Sequence, residues 1–377
     1  HIAMKFKLSS TSLNNSLQTL AKVIASKNTL PILESFLFEV EGNVLTITGS
    51  DNENVMRTTL PLLESDGNGV IAIPSRTTLD VVKELPEQPL AFDIDTNTFN
   101  VEVTYQNGKY NFTAQDGTAY PKPEGVSEGT SVITIPANIL NANITRSMFA
   151  IGSDDMRPVM NGLYFDLQTT GLSIVASDGH KLVRNVINTI TGATPAAFIL
   201  PKKPATLLKN VLPKDNSDVV IKFGTNSAEI IFAGGTLTCR LIEGRYPNYS
   251  SVIPESNPNQ LTIDRLSLLG ALRRVLPFAS ESTQLIRFKL EAGKLEISSE
   301  DIDFSTSAKE AVNCDYTGNN MSIGFKGGSM TDILNSLESD EVTIQLADPS
   351  RAGLILPSVQ PESADVLMLL MPMLLND

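Results

Sequence analysis

A short pattern recurs three times along the chain, as Leu45-Thr46-Ile47-Thr48-Gly49-Ser50-Asp51, Leu172-Ser173-Ile174-Val175-Ala176-Ser177-Asp178 and Leu295-Glu296-Ile297-Ser298-Ser299-Glu300-Asp301. Each copy opens with the apolar and polar alternation of a half-buried strand and closes on an acidic turn residue. The copies start 127 and 123 residues apart. A solenoid unit repeats every ~20–50 residues, so each copy is expected to mark a whole domain with its own core.

The rest of each repeat keeps step with this strand. Leu8 is followed by Leu13, Leu17, Leu20, Ala21 and Ile24; Ile135 by Leu140, Ile144, Met148 and Ile151; Ile263 by Leu268, Leu272, Val275, Leu276 and Ala279. Apolar residues at this spacing predict one helix per repeat, buried along one stripe, and Pro277 is expected to end the third early. A second strand-then-helix unit follows in each repeat. Val70 to Arg76 leads into Leu79, Val82 and Leu85; Ala197 to Lys203 into Leu207, Leu208 and Leu212; Met321 to Lys326 into Met330, Ile333, Leu334 and Leu337. The fold class is therefore α+β, with three similar domains that are each a doubled β-α-β-β-β unit. Turn-rich segments at 121–129 and 254–259 set expected domain limits of 4–127, 131–255 and 256–377.

No apolar run reaches the ~20 residues of a membrane span, and the three residues ahead of Met4 read as a vector-derived remnant without a signal peptide. A cytoplasmic protein is expected. Cys239 and Cys314 stand far apart with no metal-ligand spacing, as small buried apolar residues do in a reducing compartment. The formal charge of −13 argues against a nucleic-acid partner until its distribution is read. The six predicted helical segments with their lead-in residues (9–28, 74–86, 136–152, 201–213, 264–280 and 326–338) hold 12 Lys or Arg against 5 acids. The remainder holds 17 bases and 37 acids. Cationic helices attract a duplex through its phosphates without reading its sequence, and anionic sheets keep DNA from adhering elsewhere.

Only the middle copy continues as Gly179-His180-Lys181-Leu182. Ser177, Asp178 and His180 invite a hydrolase reading, but residues this close along one strand and turn do not converge as a triad requires. The chain has no Walker-type phosphate loop, no paired His for zinc and no dinucleotide fingerprint, and no catalysis and no cofactor are expected.

With three repeats, helix cations, Asp178-Gly179-His180-Lys181-Leu182 and the tail Met371-Pro372-Met373-Leu374-Leu375, the sequence resembles the bacterial DNA polymerase III β subunit family, the DNA sliding clamps. Thr29-Leu30-Pro31-Ile32-Leu33, Asn161-Gly162 and Gly244-Arg245-Tyr246-Pro247-Asn248-Tyr249 extend the resemblance over the whole chain from Met4. It implies three clamp domains per chain and a closed ring made as a head-to-tail homodimer, with twelve helices around the hole. Twelve helices at about 8–10 Å spacing leave an opening of roughly 23 Å, a loose fit to a duplex about 20 Å across. The implied function is a processivity factor in DNA replication. It would encircle double-stranded DNA and tether the catalytic subunit of DNA polymerase III, the clamp loader, repair and translesion polymerases and mismatch-repair proteins through short linear motifs. A three-domain interaction module that never encircles DNA is the alternative, which a monomer without topological retention would favour.

Residue by residue, the resemblance implies a peptide pocket of Met160, Ser177, Gly179, His180, Lys181, Leu182, Pro247, Val252, Leu369, Met371, Pro372, Met373 and Leu375. Methionine and leucine suit such a site because they re-pack around varied guests. It also implies DNA-facing cations at Lys27, Arg76, Lys202 and Lys203, and a dimer interface joining Tyr110 and Phe112 to Leu276 and Phe278. The chain departs from the family pattern at Pro158 and Val159, where aromatics are frequent, at Ser177 for threonine and at Lys181 for arginine. Ser251 and Leu374 stand where arginines are usual, and Asn376-Asp377 extend beyond the usual end. These changes imply a less basic pocket rim.

Overall fold

The structure, a computed structural model, describes residues 3–126 and 130–375. The expected domain limit at 127 and the Asn376-Asp377 extension lie outside them.

The first repeat runs β1 (Ala3–Ser9), α1 (Ser10–Ala21), β2 (Ser35–Glu41), β3 (Val44–Ser50), β4 (Asn54–Pro61), β5 (Glu64–Asp66), β6 (Gly69–Pro74), α2 (Ser75–Val82), β7 (Pro89–Asp95), β8 (Asn100–Tyr105), β9 (Gly108–Thr113) and β10 (Gln115–Asp116). The second runs β11 (Ser131–Pro136), α3 (Ala137–Ser147), β12 (Gly162–Leu167), β13 (Leu172–Ser177), β14 (Lys181–Ile187), β15 (Ala196–Pro201), α4 (Lys202–Val211), β16 (Asp218–Phe223), β17 (Ser227–Phe232) and β18 (Gly235–Arg240). The third runs β19 (Asn259–Asp264), α5 (Arg265–Val275), β20 (Leu285–Glu291), β21 (Lys294–Asp301), β22 (Thr306–Thr317), β23 (Met321–Lys326), α6 (Gly327–Ser336), β24 (Glu341–Leu346), β25 (Gly353–Pro357) and β26 (Asp365–Leu370). The last two repeats are plain doubled β-α-β-β-β units, and the first adds the short β5 and β10.

Local chemistry explains the helix limits. The Ser9 hydroxyl accepts from Ser12 N (3.2 Å) and the Asp264 carboxylate from Ser267 N (2.9 Å), each satisfying an amide that α1 or α5 leaves unpaired. Leu13, Leu17 and Leu20 are fully buried, as are Leu140 and Ile144 on α3 and Leu268 and Leu272 on α5. Beyond Val275 the chain tightens into the 3₁₀ turn Leu276–Phe278, as Pro277 requires. The recurring strand packs under the first helix of its repeat. A Cβ on Gly49 would come within 2.9 Å of the Leu20 carbonyl, and at the matching third-repeat position the Ser299 hydroxyl donates to the Val275 carbonyl (2.7 Å).

The residues form two compact units that cut through the second repeat. One gathers the chain up to Asn138 with Thr206–Leu241. It contains a five-stranded sheet, β5-β1-β7-β8-β9, and a nine-stranded sheet, β10-β6-β2-β3-β4-β18-β17-β16-β11. In the larger sheet β4 pairs with β18, setting Met56 opposite Leu237. On the five-stranded sheet the Phe6 ring of β1 and the Phe92 ring of β7 stack at 4.8 Å. The other unit gathers Ile139–Ala205 and the chain from Ile242 on. Its twelve-stranded sheet runs β15-β12-β13-β14-β26-β25-β24-β19-β22-β21-β20-β23, and the β14–β26 pair sets Leu182 opposite Leu369. Among the described residues no helix is long and apolar enough to cross a membrane.

The helix cations do not act alike. Arg146 donates to Asn143 Oδ1 (2.9 Å) and Asn185 Oδ1 (2.8 Å); burial pulls its pKa down, partly offset by Glu338. Arg265 donates to the Ser339 and Leu334 carbonyls (2.8 and 3.0 Å), beside the C-terminal end of α6. Arg274 grips Glu310, and Arg273 reaches Asn335 Oδ1 (3.2 Å). Four of the twelve helix-segment cations are thus engaged within the second unit, so the cationic surface is smaller than the residue count implies.

Candidate partner-binding cleft

Within the second unit, the end of β13, the turn beyond it, β14 and β26 bound an apolar cleft of about 640 Å³. The 3₁₀ turns Pro158–Met160 and Tyr249–Val252 and the loop between β24 and β25 complete its lining.

The turn at Asp178 is a self-contained polar knot. Asp178 Oδ1 accepts from the amides of His180 (2.9 Å) and Lys181 (3.0 Å), and Oδ2 pairs with Lys181 Nζ at 2.9 Å. Burial alone would raise the Asp178 pKa, but the Lys181 ammonium and these two amides outweigh it and hold the carboxyl below its usual range. The Ser177 hydroxyl donates to the Lys181 carbonyl (2.8 Å) and accepts from Gly179 N (3.2 Å). Serine and aspartate are both committed to the backbone, which removes the triad geometry. Gly179 sits at φ +91°, where a Cβ would be strained and would meet Arg157 Nη1 at 2.7 Å. Arg157 itself spans Asp154 Oδ2 (3.2 Å) and the Asp178 carbonyl (3.1 Å), bracing the turn from outside.

Below the turn lies a cluster of Val175, Leu182, Ile199, Tyr246, Ala352, Leu354, Leu367 and Leu369. Tyr164 stacks on Tyr246 at 4.5 Å and meets Tyr249 edge-on at 6.1 Å, while Tyr249 Oη donates to Asp166 Oδ2 (2.8 Å). The wall is thus rigid aromatic on one part and flexible Met160 and Met371 on another, a combination suited to an apolar guest of variable shape. Leu369 is 3% exposed and Met371 39% exposed, so the tail passes from core to cleft mouth within three residues.

Of the residues expected here, Met160, Ser177, Gly179, Lys181, Leu182, Pro247, Val252, Leu369 and Met371 line the cleft. His180, Pro372, Met373 and Leu375 do not. The His180 carbonyl accepts from Met371 N (2.9 Å) and its side chain is exposed. Beyond Met371 the chain turns away, because Met373 N donates to the Gly324 carbonyl (2.7 Å) on β23 and Leu375 packs against Gly324. Sequence reasoning missed Arg157, Tyr246, Asn248, Tyr249, Pro254, Ser350, Arg351 and Ala352. The two tyrosines lie in the segment 244–249 on either side of Pro247, the one residue of that segment expected in the pocket, so the signal that could find them is their adjacency to it. The loop at 350–352 carried no signal, because a tertiary strand pairing brings it to the site.

The remaining expected residues lie elsewhere. Lys27 follows α1, Arg76 is in the first turn of α2 and Lys202 opens α4; all three are exposed, and Lys203 is half-buried. Tyr110 and Phe112 share one face of β9, an edge strand, with ring centroids 6.0 Å apart. Tyr110 Oη is buried with no hydrogen-bond partner among the described residues, and burial, then Tyr105, pushes its pKa up to about 12. Leu276 and Phe278 occupy the 3₁₀ turn after α5, with Phe278 42% exposed.

Comparison with known proteins agrees with this arrangement. Beta sliding clamps from Pseudomonas putida and Staphylococcus epidermidis are 28% and 26% identical to the chain, covering 97% and 94% of it and 99% and 96% of their own lengths. The crystal structure of a Pseudomonas aeruginosa DNA polymerase sliding clamp with ligand superposes with a TM-score of 0.92 at 27% identity, covering 99% of this chain and all of that one. A Pseudomonas aeruginosa sliding clamp bound to griselimycin gives 0.93 at 26% identity, with the same coverage. Residues 4–123, 134–248 and 250–374 match the family descriptions of the N-terminal, central and C-terminal domains of the DNA polymerase III beta subunit. Three clamp domains in order over nearly the whole sequence show that the chain belongs to the DNA polymerase III beta subunit family.

Proposed function

We propose that the chain is a non-catalytic processivity factor of the cytoplasm, a homodimeric ring around duplex DNA whose cleft tethers replication and repair proteins. Its three clamp domains would lie near 4–127, 131–255 and 256–377. The apolar cleft beside the Asp178 turn carries this reading. It is large enough for an extended peptide, walled by leucine, methionine and tyrosine, and closed to hydrolytic chemistry by the backbone commitments of Ser177 and Asp178. Its guests are the linear motifs of the polymerase catalytic subunit, the clamp loader, and repair and translesion proteins.

Two strand edges support the homodimer. Among the described residues, β9 presents Tyr110 and Phe112 with a buried hydroxyl lacking a partner, and residues 306–313 of β22 pair with β21 on one side only, with the Thr306 hydroxyl donating to the Phe278 carbonyl. Edges of this kind are ready templates for a second copy. Lys27, Arg76, Lys202 and Lys203 would hold the duplex through its phosphates, without sequence preference. The test is loading onto nicked circular DNA. Retention on circles through moderate salt, with release on linearisation, is expected, because linkage does not decay with salt as contact affinity does. Equal loss of circular and linear DNA as salt rises would overturn the ring.

A further inference from the structure

We infer that the cleft selects guests carrying a carboxylate side chain near their apolar anchor, and that Arg351 is the residue that reads it. The inference rests on the peptide-binding reading of the cleft and deepens it. Departures from the family pattern imply a less basic rim, and the cations that do line the cleft are Arg157, Lys181 and Arg351.

These three cations differ in what already holds them. Lys181 is largely buried and locked to Asp178 at 2.9 Å, with its side chain 15% exposed. Arg157 is stretched between Asp154 and the Asp178 carbonyl, and it fills the space that Gly179 leaves open. Moving either would undo the turn. Among the described residues the ion pair of Arg351 is with Asp348, three residues away, through Nε at 3.3 Å, with the two side chains 68% and 42% exposed. An exposed pair of this spacing contributes little and exchanges readily. Asp348 does not depend on it, because its Oδ1 accepts from the Ser350 amide at 2.8 Å and keeps the loop turned when the guanidinium swings away. The loop itself is held by the cleft, since the buried Ala352 next to Arg351 belongs to the cluster of Leu182 and Leu369. Arg351 is therefore a fork-shaped donor on a fixed base at the mouth of an apolar site, its side chain 68% exposed and its ion pair with Asp348 itself open to solvent. A planar donor of this kind matches a carboxylate with two parallel hydrogen bonds.

The test uses labelled dodecapeptides that end in leucine-phenylalanine, with aspartate or asparagine placed two, three or four residues ahead of the leucine. Anisotropy titrations are run on the full chain and on Arg351→Gln, Arg351→Lys and Arg157→Gln. At one placement the wild-type chain is expected to prefer aspartate over asparagine by about three- to tenfold. That ratio should fall to about one in Arg351→Gln and stay above one in Arg351→Lys. A ratio near one at every placement in the wild-type chain overturns the inference while leaving the cleft reading intact. So does a ratio that survives in Arg351→Gln and disappears in Arg157→Gln. If no peptide of either kind binds the wild-type chain, the cleft reading itself fails.

Discussion

Met371 stands at a point where stability and binding can be separated. Fully burying a methionine stabilises by about 1.5–3 kcal/mol relative to full exposure. With Met371 39% exposed, about three fifths of that, roughly 0.9–1.8 kcal/mol, already contributes to folding, and about 0.6–1.2 kcal/mol remains for a guest to bury. Met371→Ala should therefore lower the melting temperature by about 2–7 °C and weaken an apolar peptide about three- to eightfold. Its neighbours calibrate the measurement. Leu369, 3% exposed, should lose about 2–5 kcal/mol of stability on Leu369→Ala, as core leucines do. Leu374, 86% exposed, should change neither quantity measurably on Leu374→Ala. The assay pairs thermal melts with anisotropy titration of a leucine-phenylalanine peptide on the same preparations. Unchanged affinity for Met371→Ala alongside the expected melt would make this side chain core rather than cleft wall. A fall in melting temperature as large as that of Leu369→Ala would refute the burial arithmetic.

Replacing Tyr110 and Phe112 on β9 by serine should convert a particle of twice the 40.7 kDa chain mass into a monomer in multi-angle light scattering; an unchanged mass would place the interface elsewhere. The depressed pKa of Asp178 means that its contribution to stability is fully present above its unfolded value of about 3.9 and is lost as pH falls through the lower folded value. Asp178→Asn should therefore flatten the decline in melting temperature on acidification from about pH 5 toward pH 3, and identical profiles would deny the turn this role. Cys239 is buried, and burial pushes its thiol up to about 12. Iodoacetamide at about pH 8 should leave Cys239 unmodified in the folded protein and label it once denatured, as mass spectrometry of its peptide would show.

The threefold repeat, the six helices and their buried stripes were legible in the sequence because each depends on local spacing. Leu13, Leu17 and Leu20 must share a face whatever else the chain does, and Pro277 must disturb a helix wherever it falls. The turn at Asp178-Gly179 was legible for the same reason, since aspartate and glycine impose it from their own side-chain and backbone chemistry. Nine cleft residues could be named only through resemblance to a family, because neither spacing nor composition joins Leu182 to Leu369. The β14–β26 pairing does that, while the β25–β26 pairing brings the loop that carries Arg351 to the cleft and a separate bridge to Gly324 holds Met373 away from it. The helix arginines show the same division. Counting charges identified cationic helices, but only packing showed that Arg146, Arg265, Arg273 and Arg274 are engaged by asparagines, carbonyls and Glu310. Local elements follow from short-range periodicity and backbone preference, whereas the site and the surface charge depend on which strands pair across the chain and which polar groups that pairing leaves to be satisfied.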